Sequence, residues 1–334
     1  MSGARGNDDW RLPPPFGVRA IAVLLLSLPV LAWTGHRVEM DRAAVETAKG
    51  IGAAVGAIDD SQVARGFSSI ARRLWPPVVE QRTDTARIAG FDRRHLPLLA
   101  RIETDDVRED SVDPESLQLK VHRHTREVLV EPFGYLATVT LKLIETLEIA
   151  LWGTLLSVAI GLPLAVVSAS NLTPHPVVRV ASRGVVALLR AVPELIGALF
   201  LVLAYGFGPV AGVLALALHS TGFLGKFYAE DIENADKAPQ DALEAIGAGK
   251  LKMLRYAILP QVLPQYVAYT LYILDRNVRM ATVIGLVGAG GIGQELKGRY
   301  DLYQYGHVAT VLIAIFILVF ALDQLASSVR RRLI

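Results

Sequence analysis

The sequence predicts an all-α polytopic membrane protein with about six transmembrane helices. Three observations predict it. The 334 residues are 52% hydrophobic with a mean hydropathy of +0.39, above the usual range of soluble α/β enzymes. The apolar residues are gathered into long blocks. Lysine and arginine fall between those blocks in a pattern that one membrane orientation explains.

The first block, residues 18–33, carries one charge at its edge. A cleaved signal peptide is the competing reading, but Trp33, His36 and Arg37 crowd the place where a small-residue cleavage site belongs. We read it as a retained span. Residues 149–174 carry no charge and form the second. Residues 184–208 and 209–225 are the third and fourth. Residues 256–274, extended through 280–287, are the fifth, and residues 307–322 the sixth. With their flanks these blocks reach the ~20 residues that cross a bilayer as helix.

Arg5, Arg11 and Arg19 precede or open the first block, and Arg179 and Arg183 follow the second. Lys237, Lys250, Lys252 and Arg255 precede the fifth, and the chain ends VRRRLI. Six spans starting inside place every cluster in the cytoplasm, with both termini. Residues 1–34 are then a cytoplasmic start and the first span, 35–138 a long extracytoplasmic insert, and 139–334 the main membrane domain. The insert mixes charges of both signs, as in RIETDDVRED, so it is neither a span nor a nucleic-acid arm. Its LQLKVHRHTREVLVEP stretch favours strands and a small subdomain. His122 and His124 there fit a polar strand face better than a metal site, having no third ligand beside them. The chain has no cysteine, so no disulfide framework is available.

GLVGAGGIGQE contains Gly288, Gly290 and Gly293 in the spacing of a dinucleotide-binding turn. Such a turn needs a soluble βαβ unit and an acidic residue ~20 positions on. Here that later region is the apolar HVATVLIAIF. Gly288, Gly290, Gly291 and Gly293 are instead expected to form a hinge or close-packing element at the outward end of the fifth helix.

The segment before the fifth span reads DIENADKAPQDALEAIGAGKLKMLRYAILPQVLP. PQDALEAIGAG has the proline and acids of a helix start and the glycines of its end. Its small residues Ala242, Ala245 and Ala248 suit close docking into a groove on another protein. GAGK is not a phosphate loop, because Glu244 and Leu251 stand where a glycine and a Ser/Thr are required. Within the spans, Arg190 and Glu194 are four apart, as are Asp275 and Arg279, with Arg276 and Asn277 between the latter. The i,i+4 spacing predicts an ion pair in each helix. Buried ionisable groups in a membrane also mark an anion path.

Asp241-Ala242-Leu243, Gly247 and Leu259-Pro260 fall at the spacing of the coupling signature of bacterial ABC importer membrane subunits. In place of the family pattern, Asp241 stands for the first glutamate, Leu243 for the second alanine and Ala257 for the isoleucine. NLTP, LLRAVPELIGALF, LPQVLPQYVAYTLYILDRNVR and ATVIGLVGAGGIGQEL further resemble the phosphonate permease subunits, the PhnE type. That resemblance covers the chain from Leu143 onward. It implies the type I ABC importer permease fold, in a bacterial inner membrane, for a phosphonate or a related phosphorus oxyanion such as phosphite or phosphate.

The resemblance also implies roles. The loop over residues 228–255 would dock on the ATPase through Asp241, Ala242, Glu244, Ala245, Gly247, Ala248 and Pro260. From their own chemistry, and apart from the resemblance, Arg190, Glu194, Arg276, Asn277 and Arg279 are expected to line the substrate path, and the four glycines to form a hinge or close-packing element at the outer gate. Its partners would be an ATPase dimer carrying ATP and Mg, a second permease chain and an extracytoplasmic binding protein. The chain would hold no cofactor and would not be an enzyme. The alternative is an ion-coupled secondary transporter or channel, which predicts inverted repeats and broken helices and leaves the coupling-like loop unexplained.

Overall fold

The computed structural model describes residues 18–54, 61–93, 95–97, 99–112, 119–173 and 175–333. It divides into two compact units, Met1–Arg73 and Leu74–Ile334. In the first, α1 (Val18–Arg37) covers the predicted first span, and α2 (Met40–Ala54) and α3 (Gln62–Leu74) follow. Glu39, at φ 57°, turns the chain between α1 and α2.

The second unit opens with a three-stranded sheet, so the chain as a whole is not all-α. Strand β1 (Gln81–Asp84) and strand β2 (Arg101–Val112) flank β3 (Leu119–Glu131), both antiparallel to it. Arg101 pairs with Val130 in register, and Gln81 with Glu131. The β-favouring stretch of the insert is β3, and its apolar end is buried at Leu129 and Val130. The side chains of His122 and His124 lie outside the described residues.

The sheet is stitched to the helices. Val78 N–H donates to Gly306 O at 3.0 Å, and Leu136 N–H donates to Val79 O at 3.3 Å. Thr310 Oγ1 donates to Val78 O at 2.5 Å. Only Pro132 and Phe133 separate β3 from α4 (Gly134–Ser168). At 35 residues, α4 starts well before the apolar block that predicts it.

The remaining helices are α5 (Pro176–Ala191), α6 (Glu194–Tyr205), α7 (Pro209–Asn234), α8 (Lys237–Ala245), α9 (Lys250–Met253), α10 (Leu259–Gly285), α11 (Gly291–Asp301) and α12 (Tyr305–Leu333). By length and apolarity, α4, α7 and Tyr305–Ser328 of α12 can cross a membrane, and the pair α5–α6 brings the number to four. Among the described residues, the expected six are not reached by that measure. Prolines, glutamines and the charges Asp275, Arg276 and Arg279 keep α10 below the required hydropathy, although it is helical through most of the predicted fifth span. The predicted third span is broken. Val192 precedes Pro193, which disfavours helical backbone, and the two halves bend by 89°.

The centre of this unit is α4 against α7. Gly153, Ser157, Gly161 and Ala165 are buried at four-residue spacing on α4. Ala217, Thr221, Gly225 and Ala229 are buried at the same spacing on α7. Small residues at that spacing let helix backbones approach in lipid, where apolar burial alone gives no preference between helix and acyl chain. Around this seam, one core joins Leu224, Tyr228 and Ile232 to Ile258, Tyr266 and Ile273 of the α10 region. A second joins Ile149, Leu216, Val278 and Ile284.

Candidate functional site

The connection between α7 and α10 is built to present one face of α8. Asp236 caps the helix, its carboxylate accepting from Ala238 N–H at 3.1 Å. Gln240 is buried beneath it, and its Nε2 donates to Ala235 O at 3.1 Å and Asp236 O at 3.0 Å. Asn171 Nδ2 donates to Ile232 O at 2.9 Å, and Lys250 Nζ to Leu172 O at 3.0 Å, tying the NLTP turn to the loop. Asp236 N–H is held by Gln261 Oε1 at 3.0 Å. With Gln240 facing in, Asp241, Ala242, Glu244 and Ala245 are exposed, and Ala248 is half-buried.

Gly247 ends α8 at φ 78°, the left-handed conformation of a helix C-terminus, with Ala248 N–H donating to Leu243 O at 3.0 Å. Ile246 and Leu251, each 79% exposed, flank it. Pro260 lies exposed near the start of α10, after a wide π turn at Leu254–Ile258. Proline cannot donate into the regular ladder, which accounts for a widened turn just before it. The predicted docking residues other than Pro260 therefore lie on α8 and just past its end, exposed apart from the half-buried Ala248. Gln240, Asn171 and Gln261, which hold it, were not legible as site residues, because a glutamine or asparagine in a polar loop carries no spacing signal.

The charges in the helices pair differently from their sequence spacing. Arg190 and Glu194 do not pair, since the α5–α6 break interrupts the helical turn that would align them. Glu194 instead bonds Arg276 of α10 and lies 3.0 Å from His219 Nε2 of α7. His219 Nδ1 lies 2.9 Å from Val192 O, and its Nε2 lies 2.9 Å from Arg276 Nη2. The guanidinium also stacks 4.6 Å over Phe223. This cluster crosslinks α6, α7 and α10 at the break. The second expected pair is present, with Arg279 Nη1 2.8 Å from Asp275 Oδ2 and the arginine largely exposed.

Asn277 is 1% exposed and fully engaged. Its Oδ1 accepts from Ser220 Oγ and its Nδ2 donates to Thr154 Oγ1, each at 2.9 Å. It thus knots α4, α7 and α10 together. Asn277→Leu is expected to destabilise the purified chain by about 1–3 kcal/mol, for two lost interhelical hydrogen bonds. A thermal unfolding curve in detergent that coincides with wild type would show the knot to be dispensable.

The glycine-rich stretch joins two helices, and the apolar run before it is the end of α10 rather than a strand. Gly288, Gly290 and Gly291 have φ of 92°, 84° and 70°. Gly291 N–H donates to Glu145 Oε1 at 2.9 Å, and Ile292 N–H to Thr146 Oγ1 at 2.8 Å, so α4 caps the start of α11. Lys142 Nζ, 2.6 Å away, balances Glu145. The turn packs on α6–α7 as well, where Gly208 N–H donates to Gly288 O at 3.0 Å. Close packing is thus its evident property. Glu145 and Thr146 escaped the sequence reading because they lie 146 residues from their partners.

These features have known counterparts. Residues 161–334 match the family model described as binding-protein-dependent transport system inner membrane component. The chain is 58% identical over 261 residues to a Stutzerimonas stutzeri protein carrying the name phosphite transport system permease protein HtxE, covering 78% of this chain and 100% of that one. It is 45% identical over 189 residues to the phosphite transport system permease protein PtxC of the same organism, covering 57% and 69%. Among solved structures, an inward-facing MetNI methionine ABC transporter superposes with a TM-score of 0.51 at 22% identity, over 59% of this chain and 96% of that chain. That likeness concerns the fold, which is that of the type I ABC importer permeases. The mostly helical chain, its apolar spans and the family match lead to one conclusion: it belongs to the binding-protein-dependent transport system inner membrane components, the permease subunits of ABC importers.

Proposed function

We propose that this chain forms the translocation path for a phosphorus oxyanion, with phosphite the first candidate, and couples it to a separate ATPase. The observation that carries the substrate class is the match over the entire length of a relative named for phosphite transport. The exposed face of α8, held from beneath by Gln240, supports the coupling role. ATP and Mg would reside on the ATPase, a binding protein would deliver the anion, and a second permease chain would complete the pore. This chain would supply path and coupling but no catalysis.

In this reading Arg276 meets the anion. It is held between Glu194 and His219 across the helix break, and a guanidinium fork suits a tetrahedral oxyanion. The assay is uptake of phosphite, phosphonate and phosphate by complex reconstituted with its ATPase and binding protein. Wild type should import phosphite, and Arg276→Gln should lower uptake roughly tenfold or more while the ATPase stays bound. Transport of none of the three by wild type would end the substrate reading. Wild-type rates in the variant would make Arg276 structural.

The membrane orientation follows from the lysine and arginine distribution. A cysteine at Ser111 should react with a membrane-impermeant thiol reagent in intact cells, and one at Ala238 should not. The opposite labelling pattern would invert the topology and move the α8 face away from any cytoplasmic ATPase.

A further inference from the structure

We infer that a pocket between the end of α4 and the facing sides of α5 and α7 is a binding site for a phosphate-type oxyanion, separate from the Arg276 cluster. The pocket has a volume of about 250 Å³, and its polar lining is Ser168, Arg183, Arg190, Lys226, Glu230 and Glu233. α5 and α7 approach closely beside it. A Cβ on Gly222 would lie 2.6 Å from Arg190 N, so the backbones meet there.

Two observations point to an occupant. Ser168 is 1% exposed, lines the pocket, and its Oγ has no hydrogen-bond partner. A buried hydroxyl left unpaired is costly unless something bonds it. Arg190 is the second. The break at Pro193 denies it Glu194, and among the described residues no carboxylate pairs with it. The other charges are largely matched. Arg183 Nη2 lies 2.7 Å and Arg179 Nη2 3.7 Å from Glu233 Oε1. Lys226 Nζ lies 3.4 Å from Glu230 Oε1. Three cations against two carboxylates line the pocket, which leaves one positive charge in excess, and it is the guanidinium of Arg190.

An unpaired guanidinium fork in the lining of one small pocket, with a buried unpaired hydroxyl on the same lining residue set, makes the donor set for a tetrahedral oxyanion bearing one to two charges. A carboxylate would use the fork as well, but it offers fewer acceptor oxygens to the serine. The pocket's volume, roughly eight times that of one liquid water, admits the anion with part of its hydration or with a glycerol stem. The chemistry is common to a free phosphorus oxyanion and to the phosphodiester of an anionic lipid. The free-anion source rests on the cargo proposed above, and the lipid source does not.

The test uses the complex assembled with its ATPase. In one arm, equilibrium dialysis measures binding of radiolabelled inorganic phosphate in zwitterionic detergent. In the other, native mass spectrometry measures phosphatidylglycerol retained from nanodiscs of phosphatidylglycerol and phosphatidylcholine. Wild type should bind at least one probe. Arg190→Gln should weaken that binding roughly tenfold or more, Ser168→Ala severalfold, and Arg190→Lys less than Arg190→Gln. Ser168→Ala adds no bulk and keeps the helix, so it remains informative if the arginine variants fail to assemble. Loss in the phosphate arm alone identifies a free anion, loss in the lipid arm alone identifies a headgroup, and loss in both identifies a site for either. No binding in wild type, or binding unchanged in Arg190→Gln and Ser168→Ala, would overturn the site. Phosphite uptake by the same wild-type preparation reports on the cargo separately, so the two readings fail independently.

Discussion

Gly293→Ala is expected to abolish accumulation of correctly folded chain. A Cβ at this position would lie 2.0 Å from Thr282 O and 3.0 Å from Gly285 Cα, both backbone atoms of α10. No rotamer change relieves a clash with backbone, so α11 would have to lift off α10. That movement would break the hydrogen bonds that Gly291 N–H and Ile292 N–H donate to Glu145 and Thr146. The combined cost should exceed the ~1–3 kcal/mol of ordinary overpacking. Gly298 provides the control within the same helix, since nothing lies within 4 Å of its added Cβ. Gly298→Ala should be neutral or stabilising by up to about 1 kcal/mol. The measurement is monodisperse yield on size-exclusion chromatography with a fluorescent fusion. Equal yields for the two variants would show that the turn can open without harm.

The second large effect belongs to Gly247. Nothing lies within 4 Å of its added Cβ, so a bulky side chain costs this chain only the strain of φ 78°, about 1 kcal/mol. The face it borders is the one proposed to dock on the ATPase. Gly247→Trp should therefore leave a folded, membrane-inserted chain whose complex loses roughly tenfold or more of its substrate-stimulated ATP hydrolysis. Gly247→Asn separates the two causes, because asparagine tolerates the left-handed conformation and adds little bulk. It should keep most of the coupling. Normal stimulated hydrolysis by the tryptophan variant would remove α8 from the interface.

What could be read from the sequence divides along physical lines. The helices α4, α7, α10 and α12 were legible because long apolar blocks leave a chain few other structures in lipid. The α8 surface was legible because capping residues and small residues both act over one or two turns. The Glu194–His219–Arg276 cluster was not. Its members come from three helices, and the i,i+4 rule that suggested an Arg190–Glu194 pair presumes an unbroken helix. Val192-Pro193 was visible as a helix breaker, yet the apolar residues on both sides favoured one continuous span. His219 carried no signal either, a single imidazole in an apolar block. The sheet lay in between. Its strand-favouring residues were evident, while the antiparallel register that places Arg101 opposite Val130 depends on contacts far apart in sequence.

The short link between β3 and α4 has a mechanical consequence. Two residues leave no slack, and the hydrogen bond from Leu136 to Val79 fastens the base of the sheet to the helix. A 13-residue strand extends about 43 Å at ~3.3 Å per residue. If α4 tilts by about 10° as the transporter cycles, a ribbon of that reach swings its far end through roughly 7 Å. If the sheet lies outside the bilayer, as the proposed orientation has it, a spin label on β3 would report the tilt of α4.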